Sequence, residues 1–148
     1  MASVGVSLFS TRPPLTWEFA FLTDVGRMRA HNEDAVHVDP ALGLALLADG
    51  MGGYKGGEVA SAMAVSLLHA SFGRWFAQAG MQAPARVVRR ALQAATDEAN
   101  SSILHAGTTN PELQGMGTTL VLAAFRPARA RFTTLADAQS PALEEVSR

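Results

Sequence analysis

Two helical repeats stand back to back in this chain with strand-like sequence on either side, and that order restricts the fold more than any other feature. In residues 58–76, Val59, Met63 and Leu67 recur at helical spacing, as do Ala60, Ala64, Leu68 and Phe72, giving a broad apolar face. Glu58 falls in the first turn, where a negative charge suits the helix dipole. Gly80 and Pro84 interrupt the pattern. A second helix is predicted over residues 84–105, with Val88, Ala91, Leu92, Ala95, Ala99 and Ile103 inward and Pro84 in its first turn. Upstream, Trp17, Phe19 and Phe21 alternate with Glu18, Ala20 and Leu22, which predicts a strand. Val36 and Val38 alternate with His37 and Asp39, a second strand that Pro40 ends. Residues 42–48 are nearly continuously apolar, as in a strand buried on both faces. Downstream, residues 118–125 and 131–135 read as two more strands. A parallel α/β sheet needs strand and helix to alternate, and here they do not. The expectation is an α+β fold with a largely antiparallel sheet, helices on one face, and a second face that needs cover.

The apolar fraction of 48% and charged fraction of 17% in 148 residues point to a packed globular core. A net charge of −1 gives no general attraction to nucleic acid or anionic membrane, so any binding site must be local. Cysteine is absent, which excludes disulfides and thiolate metal sites. Residues 1–10 lack the basic start and apolar run of a signal peptide, and the apolar stretches are broken by charges well short of a bilayer span. A soluble, cytoplasmic protein is expected. Residues 1–16, with Pro13 and Pro14, read as an irregular leader, residues 17–135 as the domain, and residues 136–148 as a tail without pattern.

The acidic residues carry the functional signal. Glu33 and Asp34 stand where a loop enters a strand, and Asp49 stands where the buried strand runs into Asp49-Gly50-Met51-Gly52-Gly53. If the two strands pair as a hairpin around residues 40–43, Asp34 and Asp49 become neighbours. Converging carboxylates repel, a divalent cation relieves the repulsion, and all-oxygen ligands suit Mg²⁺ or Mn²⁺. Glycine at position 50 lets its carbonyl turn toward an ion. Arg29 stands just before the carboxylates, well placed to clamp a phosphate in bidentate fashion. Singly, each feature has an ordinary reading: a turn at Asp-Gly, a solvated Glu-Asp pair, an Arg salt bridge. Their combination favours a metal site. His31, His37, His69 and His105 are scattered without metal-ligand spacing and read as surface or packing residues. Lys55 and Tyr54 read as an exposed loop tip, and the glycine loop lacks the Gly-Lys-Ser/Thr ending of a Walker phosphate loop.

Three ordered segments carry a family resemblance: Thr23-Asp24-Val25-Gly26-Arg27-Met28-Arg29-Ala30-His31-Asn32-Glu33-Asp34, then Asp49-Gly50-Met51-Gly52-Gly53, then Gly115-Met116-Gly117-Thr118-Thr119. With the helices between the last two, the sequence from about Phe19 to Leu135 resembles the bacterial PPM-type, or PP2C-like, metal-dependent protein serine/threonine phosphatases. The resemblance implies a sandwich of antiparallel β-sheets flanked by antiparallel helices. It implies a binuclear Mg²⁺/Mn²⁺ centre whose activated water hydrolyses phosphoserine and phosphothreonine. In that centre Asp49 would bridge two ions, Glu33 and the Gly50 carbonyl would complete one ligand set, and Asp34 would act mainly through water. Arg29 would hold the phosphate, and Thr118 and Thr119 would serve structure. The implied partners are phosphorylated proteins and a cognate bacterial Ser/Thr kinase, with no nucleic acid and no membrane.

The sequence departs from the family pattern in two places. Met51 stands where some members carry a proton-donating histidine, so leaving-group protonation must come from water or another residue. After residue 135 the family shows a Gly-Asp-Ser-Arg-like segment and further metal-binding aspartates, where this chain reads Ala136-Asp137-Ala138-Gln139-Ser140. Asp137, Glu144 and Glu145 do not stand in matching contexts. The expectation is therefore a domain whose C-terminal part is missing. A non-catalytic phosphoprotein-binding pseudophosphatase fragment is the alternative.

Overall fold

The structure is a computed structural model and describes residues 18–27, 31–52, 55–80, 82–126, 129–135 and 143–144, the last two ranges as backbone. Strands β1 (Asp34–Asp39) and β2 (Leu44–Met51) precede helices α1 (Gly56–Ala79) and α2 (Ala85–Thr109). A short 3-10 turn (Pro111–Leu113) leads to β3 (Gly117–Thr118), β4 (Leu120–Arg126), β5 (Arg129–Leu135) and β6 (Leu143–Glu144). All described pairings are antiparallel, in the order β1-β2-β4-β5-β6, with β3 paired to β2.

β2 lies at the centre of the described core. Leu44, Leu46 and Ala48 alternate inward and are essentially fully buried, as are Leu120 and Leu122 of β4. α1 lies across β1, β2 and β3, and α2 packs against α1. Of the two rows predicted for α1, it buries Ala60, Ala64, Leu68 and Phe72, joined by Ser61 and Val65, while Val59, Met63 and Leu67 are half-buried. Each large side chain so buried stabilises the fold by roughly 1.5–3 kcal/mol. α2 buries Val88, Leu92, Ala95, Thr96, Ala99 and Ile103, and Thr96 bonds its hydroxyl to the Leu92 carbonyl at 2.9 Å. The opposite sheet face carries Leu47 and Val121, 45% and 38% exposed. This is the face expected to need cover, and the second sheet of the sandwich has no counterpart among the described residues.

Three expectations change. Residues 18–22 form no strand. Alternation makes a strand only beside a pairing partner, and here Phe19 instead packs edge-on against Phe125, with centroids 5.1 Å apart. Phe21 and Leu22 are exposed, and Trp17 lies outside the described residues. The strand expected over residues 118–125 divides at Thr119 into β3 and β4, for a reason that belongs to the acidic site. The tail, expected without pattern, contributes the two-residue strand β6, which pairs with Thr134 and Leu135.

The β1–β2 hairpin turns on Asp39. Its Oδ1 accepts hydrogen bonds from the Ala41 and Leu42 amides at 2.9 and 3.1 Å. Gly43 then takes φ +60°, and a Cβ there would stand 2.3 Å from the Phe125 carbonyl oxygen, so only glycine fits. The other Asp39 oxygen meets His69 Nε2 of α1 at 2.8 Å. That bond, with the two amide bonds, holds the Asp39 carboxyl below its ordinary value against the opposing effect of burial. A lowered carboxylate pKa stabilises the fold fully above about pH 4 and loses that contribution as pH falls through the lowered value. Asp39→Asn is expected to cost about 1 kcal/mol at neutral pH. It should also flatten the acid limb of the stability curve, as read by urea midpoints between pH 3 and 7 in chelator.

Candidate metal centre

The hairpin register places Asp34 directly opposite Asp49. Antiparallel partners present their side chains on the same face, so the two carboxylates share the face away from α1 at one end of the sheet, and both residues are exposed. One residue on, the Gly50 amide donates to the Glu33 carbonyl at 3.0 Å. On the other side of β2 the Thr119 amide donates to the Asp49 carbonyl at 2.9 Å. The Asp49 amide bonds the Thr119 hydroxyl at 3.3 Å. This side-chain substitution in the ladder is what divides β3 from β4, and it fixes the Asp49 backbone from both flanks. Thr118 is buried and opposite Gly50.

The start of α1 closes the site. A Cβ on Gly50 would stand 2.0 Å from the Gly57 carbonyl oxygen and 2.6 Å from the Glu33 carbonyl oxygen. A Cβ on Gly57 would stand 2.7 Å from Glu33 Oε1. Three backbone segments thus meet at van der Waals contact around the half-buried Glu33, with its carboxylate beside the positive end of the α1 dipole. Asn32 shapes the approach: its Oδ1 accepts from the Asp34 amide at 3.0 Å and its Nδ2 donates to Thr23 Oγ1 at 2.7 Å. Arg29 and Tyr54 lie outside the described residues, as does Asp137. Lys55 is exposed just before α1, and Met51 is 44% exposed.

The structure therefore brings together Glu33, Asp34, Asp49 and Gly50, a set of hard oxygen donors that suits a divalent cation. It does not draw the three carboxylates into a tight cluster. Among the described residues the group whose ligand atoms all lie within 4.8 Å of one another is a different one, His37, Asp39 and His69. His37 and His69, read from sequence as scattered surface or packing residues, pack against each other. Their rings are 4.3 Å apart between centroids. The available signal was His37-Val38-Asp39, which puts both polar groups on one strand face, and His69 beside the α1 stripe. The packing of α1 onto β1 that joins them has no trace in periodicity.

Residues 27–141 match the family model for Protein phosphatase 2C. The chain is 34% identical over 134 residues to Serine/threonine protein phosphatase PstP of Mycobacterium tuberculosis, covering 90% of this chain and 24% of that protein. It is 35% identical over 127 residues to Serine/threonine phosphatase stp of Listeria innocua, covering 84% and 49%. The crystal structure of the PstP catalytic domain in complex with two manganese ions superposes with a TM-score of 0.59 at 36% identity, covering 75% of this chain and 44% of that one. The chain thus spans about half or less of these relatives. The family match runs without a break through Glu33 and Asp34, the Asp49-Gly50 corner and the Thr118-Thr119 segment that clamps it, and on that ground the chain belongs to the protein phosphatase 2C family.

Proposed function

We propose that this chain supplies the N-terminal part of a protein serine/threonine phosphatase acting on phosphoserine and phosphothreonine with Mg²⁺ or Mn²⁺. The observation that carries the reading is the Asp34–Asp49 pairing, locked at Gly50 by Glu33 and at Asp49 by Thr119. It lies within the family match and beside relatives named as Ser/Thr phosphatases. Two such ions, when bound, supply hydroxide at neutral pH and offset charge on the phosphoryl group. Asp49, Glu33 and the Gly50 carbonyl would hold the ions, and Asp34 would act mainly through water. The Arg29 guanidinium binds the phosphate in bidentate fashion and positions the phosphorus for in-line attack. Met51 offers no proton donor, so the leaving oxygen takes its proton from water or another residue. The same reading assigns residues 17–135 to the phosphatase domain, phosphorylated proteins as substrates, and the cytoplasm as its setting. Among the described residues no helix is long and apolar enough to cross a membrane.

Hydrolysis of a phosphothreonine peptide with and without Mn²⁺ tests this, using wild type and Arg29→Ala. The expected result, with the chain joined to the C-terminal part of a relative's domain, is manganese-dependent turnover, with kcat/KM reduced by about 10- to 100-fold in the variant, the worth of a hydrogen bond to a charged group. A folded, manganese-loaded domain of this kind that binds the peptide without turnover would contradict catalysis and favour the phosphoprotein-binding alternative.

A further inference from the structure

We propose that His37, Asp39 and His69 form a second metal site, for a Zn²⁺-class transition-metal ion, at the end of β1 away from Asp34. One ligand atom from each residue lies within 4.8 Å of the other two. Two imidazoles and a carboxylate are the donor set of borderline ions, whereas the all-oxygen site at the other end of the strand suits hard ones. The two sites are separate: Asp34 and His37 are three residues apart on one strand, about 10 Å, and alternation sends their side chains to opposite sheet faces.

The ordinary reading is an Asp–His ion pair with a second histidine stacked on it. It explains the 2.8 Å contact between His69 Nε2 and Asp39 Oδ2, but it leaves His37 unexplained. His37 Nε2 is buried and has no hydrogen-bond partner among the described residues. A buried imidazole nitrogen without a partner is costly, and an ion beside it removes the cost. The carboxylate is also held from behind. Asp39 Oδ1 is held by the Ala41 and Leu42 amides, and Oδ2, which meets His69 Nε2 at 2.8 Å, would turn from that nitrogen to an ion. Bonds of about 2.0–2.1 Å in a tetrahedron require ligand atoms roughly 3.3 Å apart, so binding needs only a small inward shift of side chains. Asp39 and His69 are 23% and 34% exposed, which permits that shift and gives an ion an entry path. Three protein ligands leave the fourth position to water. The ion would join the edge strand β1 to α1, the two elements that also carry Asp34 and the Gly57 contact to Glu33.

The test is calorimetric titration of the 148-residue chain with Zn²⁺, in the Asp49→Asn background and alone, together with His37→Gln and His69→Gln. Visible absorption of the Co²⁺ form reports the coordination geometry. The expected result is one Zn²⁺ equivalent that survives Asp49→Asn and weakens at least tenfold in each histidine variant. The Co²⁺ spectrum should be of tetrahedral type. His37→Gln removes no hydrogen bond that Nε2 makes among the described residues, so its metal-free fold, checked by circular dichroism, should match wild type even if His69→Gln loosens the hairpin. Zn²⁺ affinity unchanged in His37→Gln, or Zn²⁺ binding lost in Asp49→Asn but retained in the histidine variants, would overturn the proposal.

Discussion

Gly50→Ala is expected to lower stability by about 3 kcal/mol or more and to abolish Mn²⁺ binding at the acidic corner in the same step. The added Cβ would stand 2.0 Å from the Gly57 carbonyl oxygen, 2.5 Å from its carbon and 2.6 Å from the Glu33 carbonyl oxygen, all of them backbone atoms. Backbone cannot rotate away as a side-chain tip can, so β2, the start of α1 and the Glu33 segment must move apart. Ordinary overpacking costs roughly 1–3 kcal/mol, and a clash confined to main chain belongs at or above the top of that range. For a domain of this size the loss corresponds to a fall in Tm of about 10 °C. The same displacement carries the Gly50 carbonyl and Glu33 away from each other, so the metal site fails with the packing. Gly73→Ala provides the contrast. Its Cβ would meet only the Leu42 side chain at an ordinary 3.7 Å. Within α1 it should stabilise by about 0.5–1 kcal/mol, because alanine is the better helix former. Thermal melts of the two variants separate a tight corner from a general intolerance of alanine.

Legibility in the sequence follows from range. The stripes of α1 and α2 are local patterns, and the residues their spacing indicates are buried or half-buried in both helices. The hairpin was readable because Pro40 and Gly43 mark its turn, and counting outward from the turn pairs Asp34 with Asp49. Elements whose existence depends on a distant partner were not readable. Phe19 and Phe21 alternate like a strand, yet Phe19 spends its ring on Phe125. Thr119 reads as the second residue of one strand, and only its bonds to Asp49 show why the strand divides there. His37 and His69 are separated by a whole strand, a loop and half a helix, and their meeting is decided by how α1 lies on β1. The acidic residues could be named from sequence, but their spacing could not. Glu33, Asp34 and Asp49 do not form a group whose ligand atoms all lie within 4.8 Å of one another, as the histidine group does.

Asp49→Asn is the second change expected to have a large effect, and for a different reason. Asparagine keeps the size of the side chain, and the bonds at position 49 that fix the strand are made by its backbone amide and carbonyl, to Thr119. The fold should therefore persist, with far-ultraviolet circular dichroism and the metal-free melting temperature close to wild type. What is lost is one anionic ligand at the point where β2 meets the glycine corner. Removal of a directly ligating charge exceeds the 10- to 100-fold penalty usual for outer partners of a metal site, so Mn²⁺ affinity should fall by roughly a hundredfold or more.

Mn²⁺ binding to the wild-type chain and to Asp49→Asn, followed by electron paramagnetic resonance of the free ion, is the most direct measurement of whether the β1–β2 acidic corner is a metal centre. Binding by the wild type that disappears in a folded Asp49→Asn variant is the predicted result. Equal Mn²⁺ binding by both proteins would contradict the assignment of Asp49, and with it the account of how this chain contributes to phosphate-ester hydrolysis.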